Sequence, residues 1–159
     1  MSDRTEIARA GQHSRRNPGT LTVLLLDDHA VMLEALRALI QSDDSLVVIG
    51  TASRVPDAIR LARGMQPDVA VIDVHMPDGG GWAAARGLRE VCPDIRLVAF
   101  SAYDDALVTR TIAAAGIDAF VSKGSEIGVL LAAIRGEDLM PTPTQQMPLF
   151  RRTIASAAE

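Results

Sequence analysis

The chain has 159 residues, 48% of them hydrophobic and 23% charged, which allows one domain with short tails and excludes both a pair of full domains and wholesale disorder. A net charge of −4, with 10 basic and 15 acidic residues between positions 21 and 136, argues against a protein built mainly to bind nucleic acid or an anionic membrane. The single cysteine, Cys92, excludes an internal disulfide, fits a reducing compartment, and reads beside Pro93 as a small apolar filler.

Residues 1–20 mix charge, glycine and proline without an apolar period, so they are predicted to be a flexible N-terminal arm. Arg15-Arg16 precedes an apolar run of only six residues that ends in Asp27-Asp28, too short for an export signal or a membrane span. The domain is expected over 21–136. It opens with a strand at Leu21–Leu26, a helix with Val31, Met32, Leu36, Leu39 and Ile40 at helical spacing, and a strand at Leu46–Ile49. A helix near Asp57–Arg63, a strand at Val69–Val74, a helix near Ala83–Val91 and a strand at Leu97–Phe100 follow. A helix near Ala106–Ala115, a strand at Ala119–Val121 and a helix near Glu126–Arg135 complete the domain. The tail, 137–159, reads as a proline-punctuated linker with a short amphipathic helix over Leu149–Ala157, and is too short for a helix-turn-helix domain. Five βα units with continuous apolar strands predict an α/β fold, a doubly wound parallel sheet with helices on both faces.

In such sheets ligands bind beyond the carboxyl ends of the strands. Here those ends carry Asp27-Asp28, Asp73, Ser101, and Ser122-Lys123, and Lys123 is the chain's one lysine among 16 basic residues. Each has a structural reading: Asp27-Asp28 and Ser101 as helix caps, Lys123 as a solvated loop residue. Asp73, after four apolar residues, sits where desolvation needs compensation. Together three converging carboxylates call for a cation, and without a His or Cys cluster nearby they select a hard ion, Mg²⁺. A lysine and a hydroxyl opposite would complete a cradle for a phosphoryl group, with a carboxylate beside it as nucleophile. Asp78-Gly79-Gly80-Gly81 lacks the spacing of a phosphate-binding loop and reads as a turn before Trp82, itself read as packing at a helix start.

The runs DDHAVMLEAL, DVHMPDGGG and FVSKG, with 45 residues from Asp28 to Asp73, 28 from there to Ser101 and 22 more to Lys123, resemble the receiver domain of two-component response regulators over about residues 21–136. The resemblance is to the CheY-like fold and to the branch of NarL/LuxR type. It implies a flavodoxin-like five-stranded sheet of order 2-1-3-4-5. It implies that Asp73 is the phosphoacceptor, that Asp27, Asp28, Asp73 and the backbone carbonyl of His75 hold Mg²⁺, and that Lys123 neutralises the phosphoryl oxygens. Ser101 would donate its hydroxyl to the phosphate, and Phe120, where tyrosine is frequent, would take the aromatic switch position. His75 and Tyr103 stand where lifetime of the phosphoryl group is tuned, and His29 reads as a first-turn helix residue. The implied partners are a histidine kinase or phosphotransfer protein, a downstream protein, and a second copy in a homodimer, with no membrane and no direct nucleic-acid contact, in the cytoplasm. The chain would then not be a conventional enzyme, although it promotes its own phosphorylation and dephosphorylation.

Three other readings compete. One is a shortened transcription regulator of the NarL/LuxR type whose DNA-binding domain is missing. Another is a receiver-like interaction module that is never phosphorylated. The third is a Mg²⁺-dependent phosphohydrolase, against which His75 stands where a second acid/base carboxylate would be needed.

Overall fold

The computed structural model describes residues 19–77, 79–102 and 114–137. β1 (Leu21–Leu26) carries no charged side chain and buries its last four residues, so it belongs in the middle of a sheet. It is flanked by β2 (Leu46–Ala52) on one side and β3 (Val69–Asp73) on the other, and β4 (Arg96–Ser101) and β5 (Ala119–Ser122) extend the sheet beyond β3. All four pairings are parallel, in the order 2-1-3-4-5. This is the expected doubly wound arrangement. Alternation along β1 sends Val23 and Leu25 into one core and Leu24 and Leu26 into the other.

The helices divide accordingly. α1 (Ala30–Ile40) and α4 (Ile127–Arg135) cover one face through Leu33, Leu36, Ile40, Leu130 and Ile134. On α1 the spacing expected Val31 and Leu39 to face inward, and both are exposed, at 82% and 45%. At 100° per residue, Leu33, Leu36 and Ile40 form the inward stripe, which leaves Leu39 on its flank and Val31 on the far side. α2 (Val55–Met65) and α3 (Gly80–Val91) cover the other face, and this core is rich in small residues: Ala52, Ala58, Ala62, Ala70, Ala84 and Ala85 are all buried in it. The two helices lie so close that a Cβ on Gly87 would come within 2.3 Å of Ile59 Cδ1. Cys92 is buried in the same core, as its composition suggested, and donates from Sγ to the Ala62 carbonyl at 3.3 Å.

β2 runs past its apolar stretch because Gly50 and Thr51 keep pairing with Leu24 and Leu25 after a register shift between Val23 and Leu24. α3 starts three residues before its first expected residue. The glycines ahead of Trp82 form the turn and the first helical residues: Gly79 and Gly80 have φ of 91° and 62°, and Gly81 N donates to the Val74 carbonyl at 3.1 Å. Trp82 is at the helix start, as expected, but half-exposed. A Cβ on Gly80 would meet the Val74 carbonyl oxygen at 2.8 Å, whereas on Gly64, inside α2, it meets nothing. Gly80→Ala should therefore destabilise the fold by about 1–3 kcal/mol and Gly64→Ala stabilise it by about 0.5–1 kcal/mol, as urea denaturation would show.

At the end opposite the strand termini that hold the polar residues, Arg135 of α4 pairs with Asp43 and Glu137, and Arg96 Nε donates to the Ala133 carbonyl at 2.8 Å. The N-terminal arm up to residue 18, Asp78, Tyr103, the expected helix near Ala106–Ala115 as far as residue 113, and the tail from residue 138 with its Leu149–Ala157 helix lie outside the described residues.

Candidate functional site

Parallel pairing puts the carboxyl ends of all five strands on one edge. Leu26 of β1 is in register with Ile72 of β3, so the residues that follow them, Asp27 and Asp73, leave the sheet side by side. Asp27, Asp73 and Ser101 are the buried polar side chains among the described residues, at 1%, 5% and 0% exposure. A protein does not bury carboxylates in pairs without compensation. The compensation is Lys123, just past β5, whose Nζ donates to Asp27 Oδ2 at 2.8 Å and to Asp73 Oδ2 at 3.1 Å.

Lys123 is held where it can do this. Its backbone N–H donates to the Ser101 carbonyl at 2.8 Å, extending the β4–β5 ladder by one residue, and its ammonium lies 5.8 Å over the ring of Phe100. Burial works against its charge, but the hydrogen bonds to Asp27 and Asp73 more than offset this and raise its pKa above the ordinary lysine value. The reading of Lys123 as a solvated loop residue is thereby corrected.

The outer oxygens of the two aspartates accept from the backbone two residues on: Asp27 Oδ1 from His29 N at 2.8 Å, Asp73 Oδ1 from His75 N at 3.0 Å. Each carboxylate is thus fixed on one side by its own turn and on the other by Lys123. Asp28, with its side chain 30% exposed, is turned more toward water. Ser101 Oγ shares a hydrogen bond of 3.1 Å with His75 Nδ1, which links the hydroxyl to the loop that follows Asp73. Phe120 is half-buried in β5, in register with Ala99.

One neighbour was not legible in the spacing. The His29 ring lies among the acids, with Nδ1 3.1 Å from Asp27 Oδ1 and 2.9 Å from Asp28 Oδ1. One ligand atom from each of Asp27, Asp28, His29 and Asp73 falls within 4.8 Å of all the others. The candidate donor set is therefore not purely oxygen, and His29, read from the sequence as a first-turn helix residue, lies beside the acids as well as at the start of α1. The run Asp27-Asp28-His29 contained the signal, since a turn that folds a backbone N–H onto the carboxylate two residues earlier brings that residue's side chain along. The four groups suit a divalent cation: carboxylates to neutralise it, an open side for water, and Lys123 displaced to one flank.

A five-stranded parallel sheet of this order, with buried acids and a lysine at its carboxyl edge, defines a class, and residues 23–135 match the response regulator receiver domain family. The chain belongs to that family, whose members are the receiver modules of two-component signalling. Among its relatives, the response regulator GacA of Pseudomonas aeruginosa is 31% identical over 115 residues, which make up 72% of this chain and 54% of that protein. The DNA-binding transcriptional activator DevR/DosR of Mycobacterium tuberculosis is 38% identical over 95 residues, 58% of this chain and 44% of that protein. The chain spans about half the length of the curated relatives it matches. Among solved structures, a LuxR-family two-component response regulator from an Aurantimonas species is 28% identical with a TM-score of 0.68, covering 74% of this chain and 87% of that one. The response regulator domain of Thermotoga maritima CheB is 26% identical, also at 0.68, covering 74% and 95%. Among the described residues no helix is long and apolar enough to cross a membrane.

Proposed function

We propose that the chain is a phosphorylation-switched receiver in which Asp73 accepts a phosphoryl group from the phosphohistidine of a histidine kinase or phosphotransfer protein, or from a small acyl phosphate. The observation that carries this is the buried Asp73 carboxylate at the end of β3, bonded to a lysine delivered by β5. In the reaction an Asp73 oxygen forms the new bond to phosphorus while the bond from phosphorus to the donor nitrogen breaks and the donor histidine keeps the electron pair. Lys123, already beside Asp73 Oδ2, follows the negative charge outward onto the phosphoryl oxygens. Asp27, Asp28, Asp73 and the His75 carbonyl would hold Mg²⁺, which when bound would supply charge neutralisation for the same oxygens. Ser101 leaves His75 and donates its hydroxyl to the phosphate, and Phe120 turns inward behind it. The output is a changed protein-binding face, around β5 and its adjoining helices, for a downstream protein or a second copy of the chain in the cytoplasm. The chain assists its own phosphorylation and hydrolysis without turning over an external substrate.

Intact mass after incubation with Mg²⁺ and an acyl phosphate tests this reading: the chain gains one phosphoryl group. His75 touches the hydroxyl that must move and occupies the rim of the site, so His75→Ala should change how long the phosphoryl group survives, as a time course of mass after donor removal would show. An unchanged decay in variants of both His75 and Tyr103 would remove that role. A second reading, a receiver serving a DNA-binding regulator of the NarL/LuxR type, draws support from DevR/DosR and the LuxR-family structure. In it the same phosphorylation controls a DNA-binding segment in place of a separate protein.

A further inference from the structure

We propose that His29 is a direct ligand of the divalent cation at the acidic edge, through Nδ1, and that this nitrogen gives the site a preference for Mn²⁺ or Co²⁺ over Mg²⁺ that its oxygens alone would not produce. The inference rests on the reading of Asp27, Asp28 and Asp73 as a cation site and adds a fourth side chain to it.

Geometry favours it. Donor atoms in adjacent positions of a six-coordinate ion with bonds of roughly 2.1 Å lie about 3.0 Å apart. His29 Nδ1 is 2.9 Å from Asp28 Oδ1 and 3.1 Å from Asp27 Oδ1, so the nitrogen stands at a neighbouring ligand position without a change of rotamer. Opposite positions of such an ion are about 4.2 Å apart, and the four donor atoms fall within 4.8 Å of one another, so a small contraction closes the set. The backbone supports this placement. His29 precedes α1 with an extended conformation, φ −99° and ψ 109°, and its N–H is tied to Asp27 Oδ1, so its backbone is anchored at the mouth of the site. On the other flank Lys123 occupies Asp27 Oδ2 and Asp73 Oδ2, so an ion would enter from the His29 side, where Asp27 Oδ1 and Asp28 Oδ1 lie beside the ring.

Chemistry supplies the selectivity. Imidazole nitrogen is a softer donor than carboxylate or carbonyl oxygen, and its bonds strengthen from Mn²⁺ to Co²⁺ along the divalent series, while Mg²⁺ prefers oxygen and retains water. Adding one nitrogen therefore separates the two kinds of ion, whereas the same short contacts made only by an Nδ1–H donating to carboxylates would not.

Calorimetric titration of the full chain with Mg²⁺, Mn²⁺ and Co²⁺ in turn, for the wild type, His29→Ala and His29→Gln, tests this. Pulsed electron paramagnetic resonance of the Mn²⁺-loaded samples reads the nitrogen directly. Both variants should lose Mn²⁺ and Co²⁺ affinity by roughly tenfold or more while holding that for Mg²⁺, and the ¹⁴N coupling present in the wild type should vanish from both. His29→Gln keeps a hydrogen-bonding side chain, so its loss of coupling together with selectivity isolates the nitrogen. An unchanged ratio of Mn²⁺ to Mg²⁺ affinity, or no ¹⁴N coupling in the wild type, would overturn the assignment and leave His29 as a hydrogen-bond donor to the two acids. If the wild type binds none of the three ions, or Asp27→Asn binds them equally well, the cation site itself is wrong and the ligand falls with it.

Discussion

Asp73→Asn should gain no phosphoryl group from an acyl phosphate and Mg²⁺ while the wild-type chain gains one, and it should melt as a folded protein. The amide keeps an oxygen for the His75 N–H and the volume of the carboxylate, but it lacks the anionic nucleophile. Lys123 retains Asp27 as a partner, so the edge does not lose its compensation altogether. Mass spectrometry of the two proteins side by side decides the matter. A gain in both would move the acceptor to another group, with Asp27 the first to examine. A gain in neither, under conditions where the cation binds, would restrict the donor to a cognate kinase or favour the unphosphorylated interaction module.

Lys123→Ala should have the largest effect on stability at the site. It strips the ammonium from two carboxylates whose side chains are 2% and 5% exposed, and because the edge opens to water the cost should fall at the low end for a broken buried pair, about 3 kcal/mol. Divalent cation should restore much of the lost melting temperature in the variant and add less to the wild type, whose lysine already covers the acids. The pH dependence has a definite sign. The folded-state pKa of Lys123 lies above its ordinary 10.5, so the stabilisation is complete at lower pH and is lost as the pH climbs through the raised value, which alkaline melts would display in the wild type and not in the variant. Phosphorylation of the variant should persist in part, because Asp73 remains, but without the accompanying change in the binding face. Full switching in Lys123→Ala would contradict its assigned place.

The sheet was readable because its strands are buried on both faces and so appear as unbroken apolar runs: β1 was predicted to the residue. What escaped was set by neighbours. β2 continues through Gly50 and Thr51 because a partner strand holds them in register, which no apolar count reports. The first residues of α3 are glycines, turn-formers in isolation, and the Gly81 N–H donating to the Val74 carbonyl ties them to the end of β3 where the helix begins. At the site, Asp27, Asp28, Asp73, Ser101 and Lys123 could be named because parallel strands deliver their ends to one edge. Which carboxylate oxygen meets the lysine, and that the His29 ring lies between two acids, depend on side-chain torsions, to which strand spacing is blind. The Phe100 ring beneath Lys123 escaped for the same reason.

The alanine-lined seam between α2 and α3 limits how this protein can change over evolutionary time. At Ala58, Ala62, Ala84, Ala85 and Gly87 almost any substitution adds volume, and inserting methylenes into a filled interior costs about 1–3 kcal/mol. The opposite core, built mainly of leucine, isoleucine and valine with one phenylalanine and one alanine, can exchange one bulky shape for another at lower cost. Sequence drift is therefore expected to be lopsided: one helical layer stays nearly fixed as a chassis, while the layer of α1 and α4 is free to diversify.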